Sequence, residues 1–120
     1  MSGTAKTLKK RTGDRGERRV AWYLRLRGYR ILERNWRSGH KEVDIIAARG
    51  GVIAFVEVKT RLSESAERPQ TAVTRAKIAN IVAASKAYSM LNDTSGKVIR
   101  YDVAEVTPNG VNYIKSAFHG

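Results

Sequence analysis

The chain has 120 residues, no cysteine, a formal net charge of +12 and a pI of about 10.5. This length supports a single hydrophobic core, and the lack of cysteine excludes disulfides and thiolate zinc sites. No apolar run approaches the ~20 residues of a membrane span and no secretory signal is recognisable, so we expect a cytoplasmic protein, without a membrane role, that binds a polyanion.

The positive charge is concentrated in the N-terminal third. Residues 1–37 contain 12 Lys and Arg against three acidic residues. Residues 1–13 offer little to pack, which predicts a flexible basic arm followed by one domain over 14–120. Lys9, Lys10 and Arg11 in this arm are candidate nucleic-acid contacts.

A first helix is predicted from Asp14, a favourable N-cap residue, to Arg27, with Gly28 ending it. Its apolar stripe contains Val20, Ala21 and Leu24. Glu17 falls on the same stripe, and a carboxylate on an apolar face needs a partner. That partner is either the backbone at the helix start, through a capping box with Asp14, or a metal ion.

A glycine pair, Gly50-Gly51, separates two apolar runs of β type over 42–48 and 52–59. A first strand is predicted before them, over 29–36. Glycine pairs favour tight hairpins whose two central residues have positive φ. The second run is apolar on both faces, which predicts a central strand covered by helices on both sides.

The register of this hairpin brings polar residues together. With the glycines at the centre of the turn, Asp44 faces Glu57, Glu42 faces Lys59, and Asp44, Glu57 and Lys59 share one face. Opposed carboxylates repel unless a cation lies between them, and hard oxygen ligands suit Mg²⁺ or Mn²⁺. A solvated surface hairpin with weak ion pairs is the plainer alternative.

The rest of the chain alternates between loop, helix and strand signals. Residues 62–70 are polar and contain a proline, which predicts a flexible loop beside the carboxylates. A helix is predicted over 71–91, a strand over 98–106 and a short final strand over 111–114. This order predicts an α/β fold with a mixed β-sheet flanked by helices.

Two further basic residues are candidate phosphate contacts. Arg61 projects from the same face as Lys59, and Lys77 lies on the second predicted helix. An ordinary solvated side chain is the plainer explanation for each. Three aromatic residues are predicted to pack in the core rather than stack on bases: Trp22, Tyr23 and Trp36.

These residues also carry a resemblance to known proteins. Asp44, followed after 13 positions by Glu57-Val58-Lys59, is similar to the core motif of the PD-(D/E)xK restriction-endonuclease-like superfamily. Val43 stands where that superfamily usually has proline. Longer strings resemble the bacterial YraN family of nuclease-like proteins, which is akin to archaeal Holliday-junction resolvases: residues 16–17, 28–37, 42–47, 55–61 and 100–103. Lys41 stands where that family tends to have glycine.

The resemblance implies a restriction-endonuclease-like core and a divalent-metal-dependent nuclease using Mg²⁺ or Mn²⁺. Asp44 and Glu57 would bind the metal, with Glu17 assisting directly or through water. Lys59 would orient water or offset charge, and Glu42 is expected to partner Lys59 rather than bind metal. Nucleic acid is the expected partner, with DNA favoured over other structured nucleic acids, and a homodimer would suit cleavage of two strands. The alternatives are a non-catalytic nucleic-acid-binding module in DNA processing and a protein-interaction domain.

Overall fold

The computed structural model describes the backbone of residues 4–61 and 73–120 and the side chains of residues 14–61 and 73–120. The predicted loop over 62–70 lies outside these ranges. The elements in chain order are α1 (Thr4–Leu26), β1 (Arg30–Ser38), β2 (Lys41–Arg49), β3 (Val52–Thr60), α2 (Arg75–Leu91), β4 (Val98–Thr107) and β5 (Gly110–Phe118).

The five strands form one mixed sheet in the order β1-β2-β3-β4-β5. β3 and β4 are parallel, and the other neighbours are antiparallel. A parallel pair needs a crossover connection, which here contains α2. The predicted mixed sheet is therefore confirmed.

The predicted register of the β2–β3 hairpin is confirmed over its inner part, from Arg49 opposite Val52 to Ile45 opposite Val56. The pairing stops there, so Asp44 and Glu57 lie just beyond the last pair. At the turn only Gly50 has positive φ, at 56°, so the expectation of positive φ at both glycines was wrong. The two strands separate at the end where the predicted metal ligands lie.

Each face of the sheet carries its own core, so the single core expected from the chain length is divided in two by the sheet. On one face α1 packs its apolar stripe on alternate residues of the inner strands: Val20, Ala21, Leu24, Ile45, Ala47, Ala54, Val56, Ala104 and Val106. On the other, α2 contributes three residues to a second core: Ile81, Ala84 and Tyr88 against Val43, Ile46, Ile53, Phe55 and Tyr101. β3 is thus buried on both faces, as its two-sided apolarity predicts.

Two predicted helix starts were wrong. α1 begins at Thr4, so Asp14 lies inside the helix and cannot be its N-cap. The capping-box explanation for Glu17 is therefore excluded. α2 begins at Arg75, because the Thr74 side chain accepts a hydrogen bond from the Lys77 backbone N–H at 3.1 Å and caps the helix there.

The backbone of the predicted basic arm is helical from Thr4 onward, as part of α1. The flexibility predicted for this arm stays a prediction. The side chains of Lys9, Lys10 and Arg11 lie outside the described residues. Trp22 was wrongly assigned to the core, since 58% of it is exposed and the Arg25 guanidinium lies 5.3 Å from its ring centroid. Strand β5 is also longer than predicted, because its pairing with β4 extends as far as Phe118 opposite Tyr101.

Candidate active site

Three carboxylates from three elements meet where β2 and β3 separate. Asp44 of β2 and Glu57 of β3 lie close enough for the charge of Asp44 to raise the pKa of Glu57. Asp44 Oδ2 also accepts a hydrogen bond from the Val58 backbone N–H at 2.8 Å. Glu17 arrives from α1, and both glutamates are buried, at 7% and 4% exposure for Glu17 and Glu57. The structure therefore places the three acids within electrostatic reach of one another, but Glu17 does not complete a three-carboxylate metal site among the described residues, as the sequence had suggested.

Burial and mutual repulsion hold protons on this cluster. Burial, and then the negative charge of Asp44, raise the pKa of Glu17 and of Glu57 to about 7 each. Burial also raises the pKa of Asp44, against the lowering effect of the Val58 N–H. At neutral pH the cluster thus retains protons that a bound cation could replace.

The carboxylates offer hard oxygen ligands but not a complete cage. Across residues 14–61 and 73–120, no group of three acidic or histidine side chains is arranged to hold one metal ion. Asp44 and Glu57 fit a divalent ion that keeps several waters, since Mg²⁺ is commonly held by one or two carboxylates. A water or a phosphate oxygen would have to occupy the remaining positions.

Two ammonium groups lie beside Glu57. Lys77 Nζ is 3.5 Å from Glu57 Oε2, with 40% of the Lys77 side chain exposed. Lys59 follows Glu57 on the same face of β3, and its charge, like that of Lys77, lowers the pKa of Glu57. Sequence reasoning gave Lys77 only a phosphate contact, because nothing local shows that the crossover brings the first turn of α2 to the end of β3.

Asn35 holds Glu17 in place and was missed from the sequence. Its Nδ2 donates a 2.7 Å hydrogen bond to Glu17 Oε1, and its backbone has a φ of 53°. Left-handed backbone is uncommon for residues other than glycine, although asparagine tolerates it better than most. Arg34 adds a weaker contact, with Nη2 3.8 Å from the same oxygen. An unusual conformation that serves one hydrogen bond marks Asn35 as a positioning residue.

We expect Asn35→Ala to raise the pKa of Glu17 further, because the Asn35 hydrogen bond favours the charged carboxylate. NMR titration of the Glu17 carboxyl carbon measures this directly. Asn35→Gly is the matched control, since it loses the same bond but accepts positive φ without strain. Both variants should show the higher pKa, with the glycine variant the more stable by roughly 1 kcal/mol. An unchanged Glu17 pKa in both would remove the positioning role.

Gly16 lets α1 approach the end of β3. A Cβ on Gly16 would lie 2.3 Å from Thr60 Oγ1, far inside van der Waals contact. This close packing sets the depth at which the neighbouring Glu17 enters the cluster. The Gly-Glu pair noted in the sequence therefore combines a packing residue with a carboxylate.

We expect Gly16→Ala to destabilise the fold by about 1 to 3 kcal/mol, the usual cost of overpacking. The sign is informative, because Gly→Ala inside a helix ordinarily stabilises by about 1 kcal/mol. Urea unfolding of Gly16→Ala, Thr60→Ala and the double variant measures the effect. The double variant should recover most of the loss, and a stabilised single variant would show that the contact is not close.

Glu42 has a different partner from the one the sequence predicts. Its carboxylate lies 3.2 Å from Arg37 Nε, and its backbone N–H donates to Asn80 Oδ1 at 3.0 Å. No ion pair joins Glu42 to Lys59 within the described residues. Because pairing between β2 and β3 has already stopped at Ile45, the counted register no longer brings these two side chains together.

A second buried polar cluster lies elsewhere on the sheet. Asp102 is fully buried and accepts hydrogen bonds from Arg100 at 2.8 to 3.1 Å, from the Tyr113 hydroxyl at 2.6 Å and from the Ser116 N–H at 3.0 Å. Arg100 Nη2 also donates to the Tyr29 hydroxyl at 2.7 Å. Burial and the Asp102 charge raise the pKa of Tyr113 and keep it a neutral donor. This cluster ties β4 to β5 and to the start of β1, which gives the 100–103 string a structural role.

Neither helix in the described part of the chain is long and apolar enough to cross a membrane.

Comparison with known proteins gives consistent matches. The profile described as "Uncharacterised protein family UPF0102" matches residues 16–106. A UPF0102 protein of Persephonella marina is 39% identical over 106 residues, covering 88% of this chain and 91% of that protein. A UPF0102 protein of Alkaliphilus metalliredigens is 40% identical over 114 residues, covering 92% and 100% of the two chains.

One solved structure shares the fold. Hjc of Archaeoglobus fulgidus, a Holliday junction resolvase from an archaeal hyperthermophile, matches with a TM-score of 0.58 at 19% identity, covering 84% of this chain and 73% of that chain. The predicted α/β fold, which this resolvase shares, and the resemblance to the family are confirmed. At this identity the likeness concerns the fold alone.

Proposed function

The chain belongs to the UPF0102 family, and on that premise we propose that it is a divalent-metal-dependent nuclease hydrolysing phosphodiester bonds in DNA or structured nucleic acid. The observation that carries the proposal is the placement of the buried Glu57 next to Asp44, with Lys77 Nζ 3.5 Å from Glu57 Oε2. Buried carboxylates with raised pKa values are typical of functional sites. The nuclease-like fold and the net charge of +12 support the same activity.

Asp44 and Glu57 would hold the ion, Mg²⁺ or Mn²⁺, which when bound supplies Lewis acidity toward the phosphate and activates water. Glu17, held by Asn35, would fix the position of a water on the α1 side. Lys59 and Lys77 would offset the charge that develops on the phosphate. These roles need the carboxylates ionised, and the lysines favour that state at Glu57.

A non-catalytic nucleic-acid-binding module is the second candidate. The observation in its favour is that the described side chains contain no three-residue metal cage. Such a module would keep the fold and the basic surface, including Arg61 and the arm residues Lys9, Lys10 and Arg11, without turnover. In either case we expect a homodimer only if two strands are engaged symmetrically.

Cleavage of labelled duplex, single-stranded, flapped and four-way-junction substrates in Mg²⁺, Mn²⁺ or chelator tests the proposal. We expect metal-dependent cutting that falls by about 10²- to 10³-fold in Lys59→Ala, the usual cost of losing a charge-stabilising group. Lys86→Ala removes the same charge from an exposed position of α2 and should cut normally. Binding without cutting under every condition would favour the second candidate.

A further inference from the structure

A basic cavity adjoins the carboxylate cluster on the other side of β3. Its volume is about 360 Å³, and three arginines line it: Arg15, Arg19 and Arg61. The remaining lining residues are uncharged, so nothing in the wall neutralises them. A cavity of this kind attracts an anion.

Arg19 and Arg61 are each held by one hydrogen bond to a carbonyl of β4, which leaves other guanidinium donors free for a ligand. Arg19 Nη1 donates to the Thr107 carbonyl at 3.1 Å, and the Arg61 backbone N–H donates to the Val106 carbonyl at 2.7 Å. Arg61 Nη2 is buried and has no hydrogen-bond partner among the described residues. A buried guanidinium donor without an acceptor is costly, so an acceptor that came within reach of Arg61 would stabilise it.

The position of the cavity relates it to the candidate active site. Gly16 and Thr60 form part of its wall, next in sequence to Glu17 and Lys59. Alternation along β3 puts Thr60 on the α1 side and Lys59 on the α2 side. Arg61 was expected on the face of Lys59, but it follows the last residue of β3 and lines the cavity beside Thr60 instead. A strand of nucleic acid passing over the end of β3 would reach both the carboxylates and the cavity.

We propose that this cavity binds one backbone phosphate of the substrate strand. That phosphate lies within a few nucleotides of the one that is cleaved. The inference rests on the proposed nuclease function. Arg61, with Arg19 and Arg15, supplies planar guanidinium donors that match phosphate oxygens in pairs. The cavity fixes where along the strand the scissile phosphate lies, a task that the carboxylates cannot perform.

Affinity measurements in chelator test this without cleavage. An oligonucleotide series carries a single uncharged methylphosphonate at each position in turn, and each is bound by the wild type and by Arg61→Ala. We expect one position at which the neutral linkage weakens wild-type binding by about tenfold or more. A methylphosphonate at that position should have little effect on binding by Arg61→Ala, because the neutral linkage and the arginine substitution remove the same contact.

Three further variants complete the test. Arg61→Lys retains the charge and should recover part of the position-specific effect. Arg19→Ala should weaken the same position, and thermal melts of each variant report its folding. Arg25→Ala removes an equal charge from the exposed last turn of α1, beside Trp22, and should leave the position-specific effect intact.

The outcomes separate this inference from the proposed function. If the effects of the methylphosphonate and of Arg61→Ala on the binding free energy add at every position, the phosphate site is overturned. Metal-dependent cleavage by the wild type would in that case still support the proposed nuclease. Coupling at one position without cleavage in any metal overturns the nuclease and keeps a phosphate-binding cavity. Absence of wild-type binding to every oligonucleotide overturns both.

Discussion

Asp44→Asn is expected to lower metal-dependent cleavage by about 10²- to 10⁴-fold, the several kcal/mol that a metal ion contributes to the transition state. The same change should raise the melting temperature of the metal-free protein at pH 8, by about 3 to 6 °C for each kcal/mol of repulsion relieved. The physical reason is that the Asp44 charge opposes ionisation of both Glu17 and Glu57. Asparagine removes that charge but can still accept the Val58 N–H.

The two measurements are made on one preparation, by cleavage in Mg²⁺ or Mn²⁺ and by thermal melting in chelator. Asp93→Asn is the matched control, because Asp93 makes an equivalent bond to the Ser95 N–H at 3.0 Å in an exposed loop. Asp93→Asn should change neither the cleavage rate nor the melting temperature. Retained cleavage in Asp44→Asn would remove Asp44 from the metal site, and a lower melting temperature would show that its charge is paired rather than repelled.

The part of the site that local patterns encode was predictable. Strand alternation and a two-glycine turn fix which residues of a hairpin lie together, and Asp44 and Glu57 follow from counting outward from that turn. Counting fails for Glu42 because the residues of β2 that precede Ile45 are not paired with β3. Glu42 itself pairs with Arg37 of β1. The point at which two strands separate depends on what packs against them. The sequence of the hairpin alone therefore does not predict where β2 and β3 separate.

The residues that the sequence did not reveal depend on distant contacts or on unusual backbone. Lys77 reaches Glu57 only through the crossover that makes β3 and β4 parallel. Asn35 reaches Glu17 only because its own backbone is left-handed within a strand. Neither feature has a periodic signature, which is why strand and helix patterns pass over both.

The metal-free protein is expected to lose stability as the pH rises from about 5 to about 8. Glu17 and Glu57 have ordinary pKa values of 4.5 and values of about 7 in the folded state. Between these limits the folded chain binds more protons than the unfolded chain, so the free energy of unfolding falls with rising pH. The stabilisation is fully present below about pH 4.5 and is lost as the pH passes 7. Because these carboxyls interact with Asp44 and do not titrate independently, their contributions do not add, and we expect of the order of 1 to 2 kcal/mol, about 5 °C in melting temperature.

Thermal melts in chelator across this range, repeated with Mg²⁺ or Mn²⁺, measure the effect and its cause. Glu57→Gln should flatten the profile, whereas Glu33→Gln, at an exposed position of β1, should leave its slope unchanged. Metal should raise the melting temperature strongly at pH 8 and little at pH 5, because at low pH it competes with protons for the same oxygens. A melting temperature that instead rises from pH 5 to 8 in chelator would mean that the unfolded chain binds more protons there. The carboxylates would then be stabilised as charged groups by Lys59 and Lys77, and the cluster would not need a cation to be stable.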